Sequence, residues 1–511
     1  MPIARTQHFS NFRGLNERLV LNSSIAETAS LDNVIVRNGV VRGRKGINEW
    51  DDITTAETDT PIIGLASYYR VATQATTVLR FTPTKVKVWN DAGGTWDDVT
   101  GTALTGTATT RPQYATIGEL DTFVFTNEGE DRPRKYTGSG NTAVLGGTPP
   151  HAKALEYWKG FLALGNISAA GSTFLPLDLV LSDAPDEVWE TCTTADGTVV
   201  TLVIDETPGD IIALKVLGEA LMVYKTDGIV EVRLSGGLTR FSRYLLDFPM
   251  GLLAPLSLQN IPQVGHIMLA QDRNLYLVRG RQTQPLPPNV QKSLRETMSV
   301  AKAPFVRSAV DLENEVYHLF YQRNGSSYMD GKLSWNWRTG EFYRSVYPVE
   351  FNSAVGLRTT QTTAWKVLAS SATLTYELET GTDDNGTAVS RYYDFGDTTF
   401  GLPGDKWLTG VEFVFARARD CRVRVSVALD RSSKFVYSKT FTLQGGDPDE
   451  TLTKVEWHPP SPLFGTWFRI RVEMLHDGST DVCELQEFNP EIIPVTQASE
   501  TLTKSVQPLS A

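Results

Sequence analysis

Apolar and polar residues alternate along most of this chain with the two-residue period of half-buried strands, and the alternating segments fall into clusters bounded by turn residues. Clusters begin near Ile62, Pro112, His151, Asp210, Ser257, Pro304 and Phe351, a spacing of about 40 to 60 residues that matches the length of one propeller repeat. Within a cluster the strands are joined by tight turns. Residues 220–224 pass through Asp227-Gly228 into residues 229–234, residues 266–270 and 275–278 flank residues 271–274, and Asn324-Gly325 and Thr339-Gly340 follow two further strands. One small sheet cannot bury both of its faces, so repeats of this kind must pack radially around an axis. The pattern predicts an all-β chain whose main body is a β-propeller of about seven blades, with six to eight compatible with the irregular intervals, arranged as a ring with a central channel.

The two ends read differently. Residues 1–32 hold few strand signals and form an N-terminal arm. Residues 33–44 then read as two strands joined by Asn38-Gly39, a strong hairpin signal because both residues tolerate positive φ. Lying ahead of the first repeat, the hairpin segment 33–50 is placed to complete the last blade, giving a closed propeller over residues 33–381. A helix from about Val290 to Val300, apolar at Val290, Leu294 and Met298 and capped by Asn289, interrupts the strands. Composition shifts at residues 381–386, and longer strands follow. Val411, Phe413 and Phe415 share one face; Val423, Val425 and Val427 oppose Arg422, Arg424 and Ser426; Phe468, Ile470, Val472 and Met474 oppose Arg469, Arg471 and Glu473. Such strict alternation describes sheets with one wet face, so residues 382–494 are expected to form a C-terminal β-sandwich, with a polar tail over 495–511.

Composition narrows the function. Lys and Arg total 48 against 59 Asp and Glu, for a net charge of −11 over 511 residues. That balance argues against tight general affinity for nucleic acid, which needs cations to displace condensed counterions. The first dozen residues lack an apolar signal core, and no run of about 18 apolar residues occurs, so the protein is expected to be made and retained in a cytosol or released by a route other than a signal peptide. Three cysteines, Cys192, Cys421 and Cys483, imply no disulfide framework; Cys421 and Cys483 share the C-terminal region and read as small buried hydrophobes.

Candidate chemistry is sparse. His8, His151, His266, His318, His458 and His476 have no metal-ligand spacing. The acids Asp183, Asp186, Glu187, Asp311, Glu313 and Glu315 sit at strand ends or turns, where solvation explains them. No phosphate-binding loop occurs. The expectation is a chain that is not an enzyme, with no catalytic residue, metal ligand or cofactor. Basic clusters at Arg37, Arg42, Arg44 and Lys45, and at Arg417, Arg419, Arg422 and Arg424, are either solvated strand faces or linear cationic stripes for contact with another subunit or with DNA.

Two resemblances add to this. Asp91, Gly93, Thr95 and Trp96 lie in a segment similar to the Asp-box of sialidases, a structural turn between the outer strands of a blade, although Trp89 stands where that pattern has Ser. Phe12-Arg13-Gly14-Leu15-Asn16, residues 29–34 and the hairpin ending Arg42-Gly43-Arg44-Lys45-Gly46 look like the opening of the tail nozzle, or tail hub (tail tubular protein B-like), proteins of short-tailed bacteriophages. Residues 227–232 and 251–255 are similar to that family's middle blades, and residues 411–491 to its terminal β-domain. The resemblance implies a structural virion protein, assembled in the host cytoplasm and located in the phage tail. It would form a homo-oligomeric, typically hexameric, ring below the dodecameric head-to-tail adaptor, extend the channel for packaged double-stranded DNA, and anchor tail fibres or tailspikes, with no membrane insertion. Phe12, Arg13, Leu15, Arg42, Arg44, Arg422 and Arg424 are then the expected assembly contacts. The alternative is a carbohydrate-active or glycan-binding, sialidase-like propeller, which would carry several Asp-boxes and arginines converging at the axis.

Overall fold

A computed structural model describes the chain apart from residues 1–4, 11, 14–27, 29, 51–56, 184–187, 194–199, 236–239, 288–290, 359–364, 417–420, 444–451, 476–482 and 496–511. The chain divides into two compact units, neither continuous in sequence: Asn48–Trp337 with Tyr347–Leu378, and Met1–Ile47 with Arg338–Val346 and Glu379–Ala511.

The first unit is a seven-bladed β-propeller. Blade 1 is the antiparallel sheet Gly64–Arg70, Ala75–Phe81, Val86–Asn90 and Thr95–Asp98. The innermost strands of blades 2 to 7 are Gln113–Ile117, His151–Trp158, Ile211–Leu217, Gln259–Ile261, Arg307–Asp311 and Ser353–Arg358, each beginning within a few residues of a cluster start read from the sequence. The central strands of the blades, such as Phe161–Ser168 and Ala220–Lys225, are buried at every position, so both faces of a blade are covered by its neighbours. Phe81 of blade 1 meets Phe125 of blade 2 with ring centroids 5.1 Å apart. Val124 packs with Leu155 and Leu164, Leu179 with Leu221 and Val223, and Met222 with Met268 and Val278. Between blades 5 and 6 the Tyr317 hydroxyl donates to Ser257 O at 2.8 Å, and between blades 6 and 7 Trp365 Nε1 donates to Val310 O at 2.9 Å. Leu357 and Leu368 of blade 7 pack on Leu65 and Val78 of blade 1, closing the ring. Each fully buried side chain of this size contributes about 1.5–3 kcal/mol, so the interfaces between blades hold the ring together.

The sheet of blade 7 is extended by the strand Ile47–Glu49, the last part of the segment 33–50 that the sequence assigns to it, whereas the hairpin Val34–Gly43 pairs elsewhere. Trp50, Glu57 and Ile62 then donate backbone N–H groups to the carbonyls of Thr375, Thr373 and Ala372 at 2.8, 3.0 and 2.9 Å, strapping the lead-in chain to the last blade. The expected helix is present as Gln291–Thr297, with Leu294 and Met298 buried beneath it. Gln291 bonds the backbone of Leu275 through both ends of its amide; Asn289 and Val290 lie outside the described residues.

The second unit is a β-sandwich larger than residues 382–494. One sheet has the order Ser30–Asp32, Arg391–Thr398, Phe468–Leu475, Cys421–Leu429, Tyr437–Leu443. The other runs Val34–Arg37, Val40–Gly43, Glu484–Pro494, Lys406–Ala416, Leu452–Trp457, with Arg5–Thr6 beside Glu484–Pro494 and Leu463–Gly465 beside Lys406–Ala416. The N-terminal segment is therefore no detached arm, and the hairpin Val34–Gly43 belongs here, pairing Val41 with Leu485 and Arg42 with Glu484. The physical reason is burial. Leu31, Val34, Val36 and Val41 are apolar and fully enclosed, and the long strand Glu484–Pro494 offers them a free edge. Between the sheets lies an aromatic core in which Phe395 stacks on Phe488 at 4.3 Å, with Phe12 and Phe413 against the same pair.

Candidate functional site

Three features gather most of the polar side chains that the sequence singles out. The first is a buried clasp in the sandwich. Asn33 follows the strand Ser30–Asp32 at φ +56°, a left-handed conformation that Asn tolerates better than most side chains. Its amide donates to Ser390 O at 2.8 Å and accepts from the Val346 N–H at 2.9 Å and from Arg44 Nε at 2.9 Å. Arg44 is fully buried and forks onto Asp384, Nη1 to Oδ1 at 2.6 Å and Nη2 to Oδ2 at 2.5 Å. Its remaining donors reach Lys45 O and Val346 O, both at 2.9 Å, so all five N–H groups of the guanidinium are bonded. Arg391 donates to Arg44 O at 2.8 Å; burial, with Arg44 alongside, pulls its pKa down from the ordinary arginine value. Gly46 passes so close to Asp383 that a Cβ there would sit 1.7 Å from its carbonyl oxygen, which forbids any other residue.

The second feature is the outer face of the five-stranded sheet. Arg422 and Arg424 are exposed on Cys421–Leu429, as the alternation predicts. They do not form an uncompensated stripe: Arg424 lies 3.5 Å from Glu473, Arg471 is 2.9 Å from Asp394, and Arg344 is 2.7 Å from Asp32. Arg471 also stacks over Tyr392 at 4.3 Å and Phe435 at 4.9 Å. Asp394 is buried, and the exposed charges of the face include Arg422 and Arg424, the second of them beside Glu473. Arg417 and Arg419 lie outside the described residues.

The third feature is the propeller axis. Inner strands of all seven blades enclose a cavity of about 110 Å³ lined by Gln113, Tyr114, Lys215, Gln259, Arg307 and Ser308 among others. Gln113 Nε2 of blade 2 reaches Ile212 O of blade 4 at 2.9 Å, skipping blade 3. At the end where the inner strands begin, Arg111 of blade 2 reaches Pro304 O ahead of blade 6 at 3.4 Å and covers the Phe305 ring. The expected central channel is bridged at this level by side chains that reach across the axis.

Of the other expected contacts, Phe12 is fully buried, with its ring against Tyr393 and Phe395. Phe12 and Arg44 are therefore internal to the sandwich and cannot serve as contact surface. Arg13 is exposed, Arg42 half-buried, and Leu15 lies outside the described residues. The Asp-box-like turn does join the two outer strands of blade 1, and Trp96 is buried under the Arg80 guanidinium at 4.3 Å. The residue that caps the turn is Asn90, whose Oδ1 accepts the N–H groups of Ala92 and Gly93 at 3.1 and 3.2 Å, while Asp91 instead accepts from Trp89 Nε1 at 2.7 Å. Asn followed by a Gly-Gly turn is the signal that could have located it.

Two histidines fit structural roles, and His476 lies outside the described residues. His266 is buried between the Tyr224 hydroxyl at 2.7 Å and Val216 O at 2.8 Å, and burial lowers its pKa to about 4. His318 bonds the Ser334 hydroxyl at 2.8 Å, and burial lowers its pKa as well. Asp311 accepts the N–H groups of Glu313 and Asn314 at 3.1 and 2.9 Å, a turn-forming arrangement, and burial pushes its carboxyl up. Asp186 and Glu187 lie outside the described residues. Cys421 and Cys483 are neighbours: a thiol hydrogen bond from Cys421, then burial, raises the Cys483 thiol. Among the described residues no cluster of three or more His, Cys, Asp or Glu is placed to hold a metal ion, and no helix is long and apolar enough to cross a membrane.

No family model and no curated protein matches the chain. Solved structures similar to it include the Pan2 WD40 domain of Neurospora crassa, at 8% identity over 67% of this chain and 97% of that one, with a TM-score of 0.40. YCF48 from Cyanidioschyzon merolae is 9% identical over 65% and 98%, with a TM-score of 0.36. An exo-β-1,3-galactanase from Phanerochaete chrysosporium, with galactose, is 11% identical over 88% and 100%, with a TM-score of 0.24. Likeness at these levels carries no functional argument. What the sheets themselves define is an all-β protein, a seven-bladed propeller whose chain also builds a discontinuous β-sandwich.

Proposed function

We propose that this chain is a non-enzymatic structural subunit of the tail nozzle of a short-tailed bacteriophage, assembling as a ring on the head-to-tail adaptor and guiding DNA along the axis of that ring. The observation that carries this reading is the clasp. Three of the residues on which the family resemblance rests share one buried joint: Asn33 accepts from Arg44, Arg44 forks onto Asp384, and Gly46 packs against the backbone of Asp383. A sequence pattern that marks a joint of the fold is what a shared architecture leaves behind, whereas a shared reaction would leave a reactive cluster. With about 110 Å³ at the propeller axis, the DNA path in this reading lies between protomers. The net charge of −11 keeps such a path from gripping DNA. The mixed-charge sheet around Arg422, Arg424 and Arg471 is the candidate contact with an adjacent protomer or a tail fibre.

Native mass spectrometry of the purified chain, alone and with the adaptor ring of the same virion, tests the proposal. Several copies, six in the simplest case, joining one adaptor ring is the expected result. A monomer indifferent to the adaptor that instead binds on a glycan array would replace this reading with a glycan-binding propeller.

A further inference from the structure

The axial cavity holds a charge imbalance that the fold does not resolve. Two cationic side chains line it, Lys215 and Arg307. Lys215 is matched: its ammonium lies 3.2 Å from the Glu156 carboxylate on blade 3. Arg307 is not. It is only 6% exposed, and its guanidinium donates to two neutral carbonyls, Nε to Asn352 O at 3.0 Å and Nη1 to Phe305 O at 2.8 Å. No carboxylate lies within ion-pair distance of it among the described residues.

The nearest acid in electrostatic terms, Glu128, is already engaged by Arg111, accepting Nε at 2.7 Å and the backbone N–H at 3.0 Å. Arg111 itself adds a positive charge. Burial first, and Arg111 second, pull the Arg307 pKa down to about 9. A buried, uncompensated guanidinium is among the costliest groups a fold can keep, and it retains N–H donors beyond the two it uses. Tyr114 lies on the same cavity wall. Its ring is held by stacking on Phe123 at 5.3 Å.

We propose that the axial cavity is a binding site for one small oxyanion, anchored by the Arg307 guanidinium and lined by the Tyr114 hydroxyl and the Lys215 ammonium. The size sets the class. About 110 Å³ is far below the roughly 300–1,000 Å³ of pockets for larger organic ligands, and it suits a phosphate, a sulfate or a single carboxylate group. The planar fork of arginine serves either geometry. This inference does not depend on the nozzle reading, because every residue in it belongs to the propeller.

The test is thermal unfolding of the full chain against inorganic phosphate and, separately, acetate, each compared with chloride at equal ionic strength. A ligand that binds only the folded state raises the melting temperature as its concentration passes the dissociation constant. The expected result is a saturating rise with at least one of the two anions, the better anion distinguishing a tetrahedral from a planar ligand, and affinity about tenfold or more weaker in Arg307→Met. A rise no greater than with chloride, or one unchanged in Arg307→Met, overturns the proposal. Should that variant fail to fold, wild-type crystals soaked in selenate decide. An anomalous peak at the Arg307 guanidinium supports the site, and an empty cavity at saturating selenate refutes it.

Discussion

Each propeller blade is made almost wholly from one continuous stretch of chain, whereas the sandwich collects strands from residues 5–43 and 391–494 and joins them by strand pairing, an aromatic core and the buried clasp at Arg44. In the propeller, strand pairing is between sequence neighbours, and a defect in one blade is met mainly by the two beside it. In the sandwich, Val40–Gly43 and Glu484–Pro494 pair across more than four hundred residues of intervening chain, so closing them carries a large loop entropy. That closure rests on strand pairs and side-chain contacts between distant segments, the clasp at Arg44 among them. Where a fold is joined over long distances, its critical residues are the ones at the joint.

The contrast is broken most severely by Asp384→Ala. Arg44 would be left buried and unpaired, at a cost of about 3–5 kcal/mol. Hydrogen exchange should show lost protection in Val34–Arg37, Val40–Gly43 and Glu484–Pro494, with the strands of blades 3 and 4 unchanged. The double variant Arg44→Leu with Asp384→Leu should recover much of the loss, because an apolar pair replaces the isolated charge. Equal loss of protection in the blades would show that the two regions do not differ in this way. Phe12→Ala comes next, removing a buried ring from the aromatic core for about 3–4 kcal/mol; chemical denaturation read through the same strands measures it.

Acidification should act on the propeller instead. His266 is neutral when folded, with a pKa of about 4 against an ordinary value of 6.5, so the unfolded chain binds the proton first. Its contribution is complete above pH 6.5, falls between 6.5 and about 4, and is flat below, a loss of up to about 3 kcal/mol. His318 shifts in the same direction. Calorimetry across that range should show the loss, and His266→Gln should flatten it. Asn90→Ala, which frees two turn N–H groups, should cost about 0.5–1.5 kcal/mol and be felt in blade 1 alone. Arg424→Ala removes one exposed ion pair and should change stability by less than about 1 kcal/mol, although in the proposed assembly it weakens contact between subunits.

The same contrast explains what could be read from the sequence. Strand alternation and Asp-Gly or Asn-Gly turns are local signals, so the seven repeats and their starts were legible from Ile62 to Phe351. The helix at Gln291–Thr297 was legible through Leu294 and Met298 for the same reason. The hairpin Val34–Gly43 was recognisable as a hairpin, but nothing near it names its partner strand at residues 484–494. Arg44 sits in a polar-apolar alternation that reads as a wet face; only Asp384, 340 residues on, makes its burial possible. Phe12 was visible as an apolar residue in a polar arm, a pattern shared by docking anchors and by core residues of a sandwich. Arg307 gave no signal at all, because its isolation is a property of the axis where seven separate strands meet.

The most direct test of the account is the mass of the complex formed with the adaptor ring. Native mass spectrometry of the wild-type chain mixed with that ring should give a discrete assembly carrying a fixed number of copies. Asp384→Ala, with its clasp broken, should fail to join while its blades remain folded. A wild-type chain that stays monomeric beside the adaptor at every concentration tried would contradict the proposed role.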